Sequence, residues 1–139
     1  MADRLGGDRP GADRLGGSRF AVRDLDRDAL VATRVVAARS LFARFRGLMG
    51  KRSLAPGEGL WLPGDNNIHM FFMRFAIDAI FLAPAGAPDG WRVVEVRTLR
   101  PWRDVVWWVR GARGCLEVAA GSARTVNVAP GDTLRFEAL

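Results

Sequence analysis

Residues 68–82 read Ile-His-Met-Phe-Phe-Met-Arg-Phe-Ala-Ile-Asp-Ala-Ile-Phe-Leu and form the densest apolar stretch of the chain. A membrane-spanning helix needs about 20 apolar residues, and this stretch is shorter and contains His69, Arg74 and Asp78. It is also long for a single strand, so we predict a bend or a bulge inside it. We therefore expect the stretch to supply a buried strand to a globular core.

Short segments with strand-favouring composition, bounded by turn residues, account for much of the remaining chain. They lie at residues 30–38, 60–62, 91–98, 115–119, 125–128 and 133–138. One segment differs, because apolar residues recur at helical spacing over residues 41–49, after the N-cap residue Ser40. This pattern predicts a mainly β (α+β) fold, a compact barrel- or sandwich-like β domain with one short amphipathic helix.

The start of the chain differs in composition from the rest. Residues 2–7 recur as residues 12–17, and this Asp-, Arg- and Gly-rich repeat cannot bury a core. We predict a disordered low-complexity tail over residues 1–19 and a single β-rich domain over residues 20–139. The start lacks the apolar run of a secretory signal and the chain has a single cysteine, Cys115, so we expect a cytoplasmic location.

The charge balance is basic, with 21 Lys and Arg against 15 Asp and Glu, a net charge of +6. A basic surface can attract nucleic acid, anionic lipid or acidic partners, and it also keeps a small domain dispersed in water. One cysteine and one histidine exclude disulfide frameworks and metal sites built from several Cys or His residues. We therefore expect no metal and no cofactor.

Several short motifs follow one another along the domain. They are Gly47-Leu48-Met49, Glu58-Gly59-Leu60, His69-Met70-Phe71-Phe72-Met73-Arg74 followed by Asp78, Pro101-Trp102-Arg103, Leu116-Glu117-Val118-Ala119-Ala120-Gly121 and Gly131-Asp132. In this order they resemble domain-of-unknown-function family 192. The resemblance implies a compact β-rich fold, found in small bacterial and archaeal proteins, and it implies no reaction. It directs attention to His69, Met73, Arg74 and Asp78.

Three polar residues interrupt the apolar stretch, and we predict that His69, Arg74 and Asp78 form a ligand-binding cluster. The arginine would hold a carboxylate or a phosphate, and the aspartate would orient a ligand hydroxyl or the imidazole. The alternative is structural, a buried ion pair beside a hydrogen-bonded histidine, because a buried charge needs a partner. On a regular strand Arg74 and Asp78 would share a face about 13 Å apart, so only a bend could bring them together.

We therefore predict a binding module for a small polar or anionic ligand or for a protein partner, with no membrane association, and we favour this over an enzyme. One alternative is a hydrolase-like enzyme in which His69 is the general base and an aspartate orients it. A second alternative is nucleic-acid binding through the Arg/Trp-rich residues 97–113, where bases stack on indoles and arginines hold phosphates. Its residues are Arg100, Trp102, Arg103 and Arg110.

Overall fold

The structure is a computed structural model that describes residues 19–38, 53–70, 73–86, 90–106 and 108–139. In chain order the elements within these residues are β1 (Arg19–Asp24), β2 (Ala29–Ala37), β3 (Glu58–Pro63), β4 (Ile68–His69), β5 (Ile77–Pro84), β6 (Gly90–Leu99), β7 (Val105–Val106), β8 (Gly114–Ala119), α1 (Ser122–Val126) and β9 (Thr133–Ala138). No helix in this part of the chain has the length and apolarity to cross a membrane.

The larger strands close into a barrel. Its order is β1-β2-β3-β8-β5-β6-β9, and β9 pairs back with β1. The neighbours are antiparallel except for β2 and β3, which are parallel. β4 and β7 form a separate two-stranded antiparallel sheet. The predicted mainly β fold with a barrel is thus confirmed.

The apolar character of β5 follows from burial on both of its faces. Ile80 and Leu82 belong to the core cluster inside the barrel, together with Phe136. The alternate residues Ala79 and Phe81 belong to a second cluster outside the barrel wall, to which β4, β7 and residues 109–115 contribute. Because neither face meets water, nearly every position of β5 is apolar, and Asp78 is the exception.

The break predicted inside the apolar stretch is present. β4 ends at His69 and β5 begins at Ile77. In the interval between them, the Met73 N–H donates a hydrogen bond to the Met70 carbonyl at 3.2 Å. β5 belongs to the barrel and β4 to the two-stranded sheet, so the apolar stretch does not form one continuous strand.

Most of the predicted strands are found, and one is wrong. The strand predicted over residues 125–128 is wrong, because α1 covers Thr125 and Val126 and its C-cap is Asn127, where φ is 65°. Two N–H groups at the start of α1 donate to the buried carboxylate of Asp78. This long-range contact outweighs the strand preference of the β-branched residues Thr125 and Val126.

Two predictions fall outside the described residues. The amphipathic helix predicted over residues 41–49 is one of them. The other is the tail predicted over residues 1–19, except for Arg19, which is the first residue of β1. The helix that the described part of the chain contains is α1.

Candidate functional site

The carboxylate of Asp78 lies at the start of β5 and is 2% exposed. One oxygen accepts a hydrogen bond from the Thr98 hydroxyl at 2.7 Å. The other accepts from the N–H groups of Gly121 at 2.9 Å and Ala123 at 3.0 Å. These donors compensate for the loss of water around a buried charge. Asp78 therefore joins the start of α1 to the end of β6.

A cleft of about 750 Å³ opens beside this carboxylate. Its polar side chains are Asp78, Thr98, Arg124 and Asn127, and the rest of its lining is mostly small residues of segment 120–129. Small-molecule sites typically have volumes of about 300–1,000 Å³ and a few convergent polar groups. The cleft therefore has the size and the composition of a small-ligand site.

The polar groups of the cleft offer complementary chemistry. Arg124 is exposed on α1, and its side chain forms no hydrogen bond or ion pair with the other described residues. The Thr98 hydroxyl uses its hydrogen on Asp78, so its oxygen can still accept a hydrogen bond from a ligand. The Asn127 amide can both donate and accept. The cleft can thus hold an anionic group together with hydroxyl or amine groups.

The structure describes the surroundings of two residues of the predicted cluster, Arg74 and Asp78. Asp78 lines the cleft, whereas Arg74 lies before β5 with an exposed side chain. Within the described part of the chain, no hydrogen bond or ion pair joins Arg74 to Asp78. His69 pairs through its backbone with Val105, and its side chain lies outside what the structure describes. A ligand-binding role for the three residues together stays a prediction.

A second polar group, which the sequence analysis did not single out, lies where β1 ends and β9 begins. Asp24 and Asp132 are buried, Asp26 is exposed, and one oxygen of each lies within 4.8 Å of the others. This spacing would suit a cation, but Arg27 already donates to both oxygens of Asp132, at 3.1 and 3.3 Å. Because the arginine supplies the positive charge, we interpret the group as structural. Its sequence signals were the acidic turn after β1 and the Gly131-Asp132 motif.

The two buried carboxyl groups of this cluster differ in acidity. Burial, reinforced by the hydrogen bond with Asp132, raises the pKa of Asp24 to about 6. Burial acts in the same direction on Asp132, but hydrogen bonds from Asp24, Ala129 and Arg27 lower the pKa of Asp132 overall. Asp24 Oδ2 is buried and has no hydrogen-bond donor among the described residues, which leaves this oxygen as the place for the proton. Asp24 therefore holds a proton below about pH 6 and donates it to Asp132.

The residues predicted for nucleic-acid binding lie on the segment that follows β6. The Arg100 guanidinium donates two hydrogen bonds of 3.0 Å to Asp104, and together with the Arg100 N–H it holds the pKa of Asp104 down at about 2. Trp102, Arg103 and Arg110 are exposed. This segment therefore presents indole and guanidinium groups at the surface, as the second alternative requires.

Comparison with known proteins gives a family and a set of relatives. The sequence model of the family described as Uncharacterized ACR, COG1430, which is domain-of-unknown-function family 192, matches residues 23–136. A UPF0127 protein of Thermococcus sibiricus is 35% identical over 108 residues, which cover 75% of this chain and 66% of the relative. A UPF0127 protein of Thermococcus gammatolerans is 35% identical over 107 residues, 74% of this chain and 66% of the relative. The chain thus spans just under two thirds of the length of these relatives.

Solved structures support the fold. A crystal structure from Sinorhizobium meliloti 1021, provisionally named a transcription regulator, matches with a TM-score of 0.68 at 22% identity, over 92% of this chain and 98% of that one. A protein of unknown function from Novosphingobium aromaticivorans matches with a TM-score of 0.67 at 20% identity, over 84% of this chain and 83% of that one. At such identities the likeness concerns the fold alone.

Proposed function

The chain belongs to domain-of-unknown-function family 192, and we propose that it is a binding protein for a small, polar, anionic molecule. The ligand occupies the cleft beside Asp78. The observation that carries the proposal is a cleft of about 750 Å³ that combines an arranged set of hydrogen-bonding groups with the exposed guanidinium of Arg124.

Each polar group has a stated part in this proposal. Arg124 binds the carboxylate or phosphate of the ligand through its planar fork of donors. Thr98 and Asn127 accept hydrogen bonds from ligand hydroxyl or amine groups. Asp78 acts as a positioning residue, because its two oxygens are engaged by Thr98 and by the start of α1. Because these hydrogen bonds already hold the Asp78 carboxylate and its neighbours in place, little further conformational entropy is lost when a ligand binds.

The location that we propose is the cytoplasm. The single cysteine, Cys115, is fully buried in β8, which suits a thiol that takes no part in disulfide chemistry. Small phosphorylated and carboxylated metabolites are abundant ligands of that compartment, and the proposed cleft would select among them by charge and by hydroxyl pattern.

A thermal-shift panel of the full chain tests the binding role. The panel contains inorganic phosphate, citrate, a sugar phosphate and a nucleoside monophosphate. A ligand at a hundredfold its dissociation constant adds about 2.7 kcal/mol to the free energy of unfolding. We expect at least one of these anions to raise Tm by about 5–10 °C in the wild type.

Two matched variants locate the site. Arg124→Gln removes the proposed anion contact, and Arg19→Gln makes the same change of charge on β1, three strands from β5 by the shorter path around the barrel. The shift should disappear in Arg124→Gln and persist in Arg19→Gln. If no anion shifts the wild type, or if both variants keep the shift, the proposed site is wrong.

The same samples address the enzyme alternative. Ester and phosphoester substrates are added to the panel, and product release is followed over hours. Turnover that is lost in His69→Asn and kept in Arg124→Gln would replace the binding role with a general-base role for His69. Absence of turnover, with a ligand-dependent shift in Tm, leaves the binding role in place.

A further inference from the structure

Two tryptophan side chains are exposed on the segment that follows β6. Trp102 is 56% exposed and Trp108 is 64% exposed, although large aromatic side chains are usually mostly buried. Trp102 also has a φ of 63°, in the left-handed region that bulky residues rarely adopt. Its N–H donates to the Met70 carbonyl at 2.8 Å, which holds the turn in this conformation. Strain of this kind, combined with exposure, is typical of functional surfaces.

The same segment concentrates positive charge. Residues 100–113 contain Arg100, Arg103, Arg110 and Arg113 against Asp104, so four positive charges minus one negative charge give +3, half of the net charge of the chain. All four arginines are exposed. Asp104 is engaged by Arg100, which leaves three guanidinium groups for an external anion. We call residues 100–106 and 108–113 the Arg–Trp strip.

The Arg–Trp strip is held against the outer layer of the barrel by hydrogen bonds near both ends and by buried side chains in the middle. Near one end Trp102 is bonded to Met70, and at the other end the Gly64 N–H donates to the Arg113 carbonyl at 2.8 Å. Between these points β7 pairs with β4. The apolar side chains of the middle are buried in the second core cluster: Val106, Val109 and Ala112. The strip therefore turns its aliphatic side inward and its indole and guanidinium groups outward.

We propose that the Arg–Trp strip binds single-stranded nucleic acid. Bases stack on Trp102 and Trp108, and neighbouring phosphates of the strand contact Arg103, Arg110 and Arg113. Stacking on aromatic side chains combined with a line of cationic groups is the usual chemistry of such binding. A duplex hides the faces of its bases, so single strands are the form that exposed indoles can recognise.

The shape of the surface favours a linear polyanion over a membrane. A helix or loop that lies in a bilayer interface presents a broad aliphatic face next to its tryptophans. Here the aliphatic residues Val106, Val109 and Ala112 of the strip are buried in the protein. What faces the solvent on the strip is a set of guanidinium groups together with the indoles of Trp102 and Trp108.

Fluorescence anisotropy with the full chain tests the proposal. The probes are fluorescein-labelled oligo(dT) and oligo(rU) of about 12 nucleotides, a length within the usual site sizes. We expect binding in low salt that weakens as salt rises, with a slope of log K against log[salt] of about −2 for three phosphates neutralised. A matched duplex should bind more weakly, because its bases cannot stack on the indoles.

Variants separate stacking from charge. Trp102→Asn introduces a residue that tolerates positive φ, and Trp108→Ala truncates an exposed side chain. Both variants should therefore fold. Each should weaken binding about fivefold or more. Arg110→Gln should lower the salt slope, and Arg19→Gln on β1 should leave affinity unchanged. Circular dichroism melting curves confirm that the variants are folded.

Several results would overturn the proposal. They are no binding of the wild type in low salt, equal affinity for single strands and duplex, and unchanged affinity in both tryptophan variants. Sedimentation with phosphatidylserine-containing vesicles is run in parallel. Binding to the vesicles without binding to oligonucleotides would assign the strip to a membrane surface and exclude the nucleic-acid role.

Discussion

The turn between β1 and β2 and the turn before β9 meet through a pair of acidic residues. Asp24 accepts hydrogen bonds from the N–H groups of Asp26 at 2.9 Å and Arg27 at 3.1 Å, and Asp132 accepts from the Ala129 N–H at 3.0 Å. Each carboxyl group thus organises its own turn. The proton that Asp24 holds joins the two turns, and this makes the contact dependent on pH.

The first prediction concerns the substitution Asp24→Asn. The folded-state pKa of Asp24, about 6, lies above its ordinary value of 3.8, so its contribution to stability is complete below about pH 4 and is lost as pH rises through 6. The amide of asparagine stays neutral and donates to Asp132 at every pH. We expect equal stability of variant and wild type near pH 4, and a variant more stable by on the order of 2 kcal/mol near pH 7.5.

Urea unfolding at the two pH values measures this difference. Asp28→Asn is the matched control, because the Asp28 side chain is 94% exposed and asparagine accepts its positive φ. The control should follow the wild type at both pH values. A loss of stability in Asp24→Asn that is larger at pH 7.5 than at pH 4 would show that Asp24 acts as a carboxylate. An equal loss at both pH values would show that its titration is not linked to folding. Either result would make the shared-proton interpretation wrong.

Among the elements, α1 depends most on a distant residue. It has only five residues, its N-cap is Gly121, and no side chain of its own caps it. An isolated helix of this length is not stable in water. Asp78 supplies the missing acceptor from the start of β5, 43 residues earlier in the chain. The local sequence therefore does not predict α1. Its strand-favouring residues predict a strand over residues 125–128 instead.

The second prediction compares two substitutions of Asp78. Asp78→Ala leaves the N–H groups of Gly121 and Ala123 without their acceptor and should cost on the order of 3 kcal/mol. Asp78→Asn keeps an oxygen for these groups, and Thr98 can reorient its hydroxyl, so the cost should be about 1 kcal/mol. Chemical denaturation measures both. Equal stability of Asp78→Ala and the wild type would contradict the capping role.

At the scale of the whole molecule, we expect the strands to differ in how well their amide protons are protected from exchange with water. β5 and β8 are neighbours, Ile80 opposite Leu116, and both strands are buried on both faces. The β4–β7 pair lies outside the barrel and consists of two residues on each side. Amide protons exchange fastest where a few residues can open without unfolding the rest.

The third prediction follows from this arrangement. The amides of β5 and β8 should exchange only when the barrel unfolds, and those of β4 and β7 should exchange on the order of 100-fold faster or more, through local opening. Hydrogen–deuterium exchange followed by NMR measures both sets in one sample. Equal protection of Ile80 and Ile68 would mean that the outer pair opens only together with the barrel.

The sequence by itself determined the β-rich class, most of the strands and the break in the apolar stretch. These features depend on composition, on turn residues and on the alternation or continuity of apolar residues, which are local properties. The sequence also singled out Asp78, because a lone acid in an apolar strand requires partners. The family motifs agree with the match over residues 23–136.

Only the tertiary structure decided which groups meet. It placed α1 against Asp78, and it brought Asp24 and Asp132 together from opposite ends of the domain. Each of these contacts spans residues far apart in the chain. Closure of the barrel brings such residues together, and no local pattern records which partners they will have.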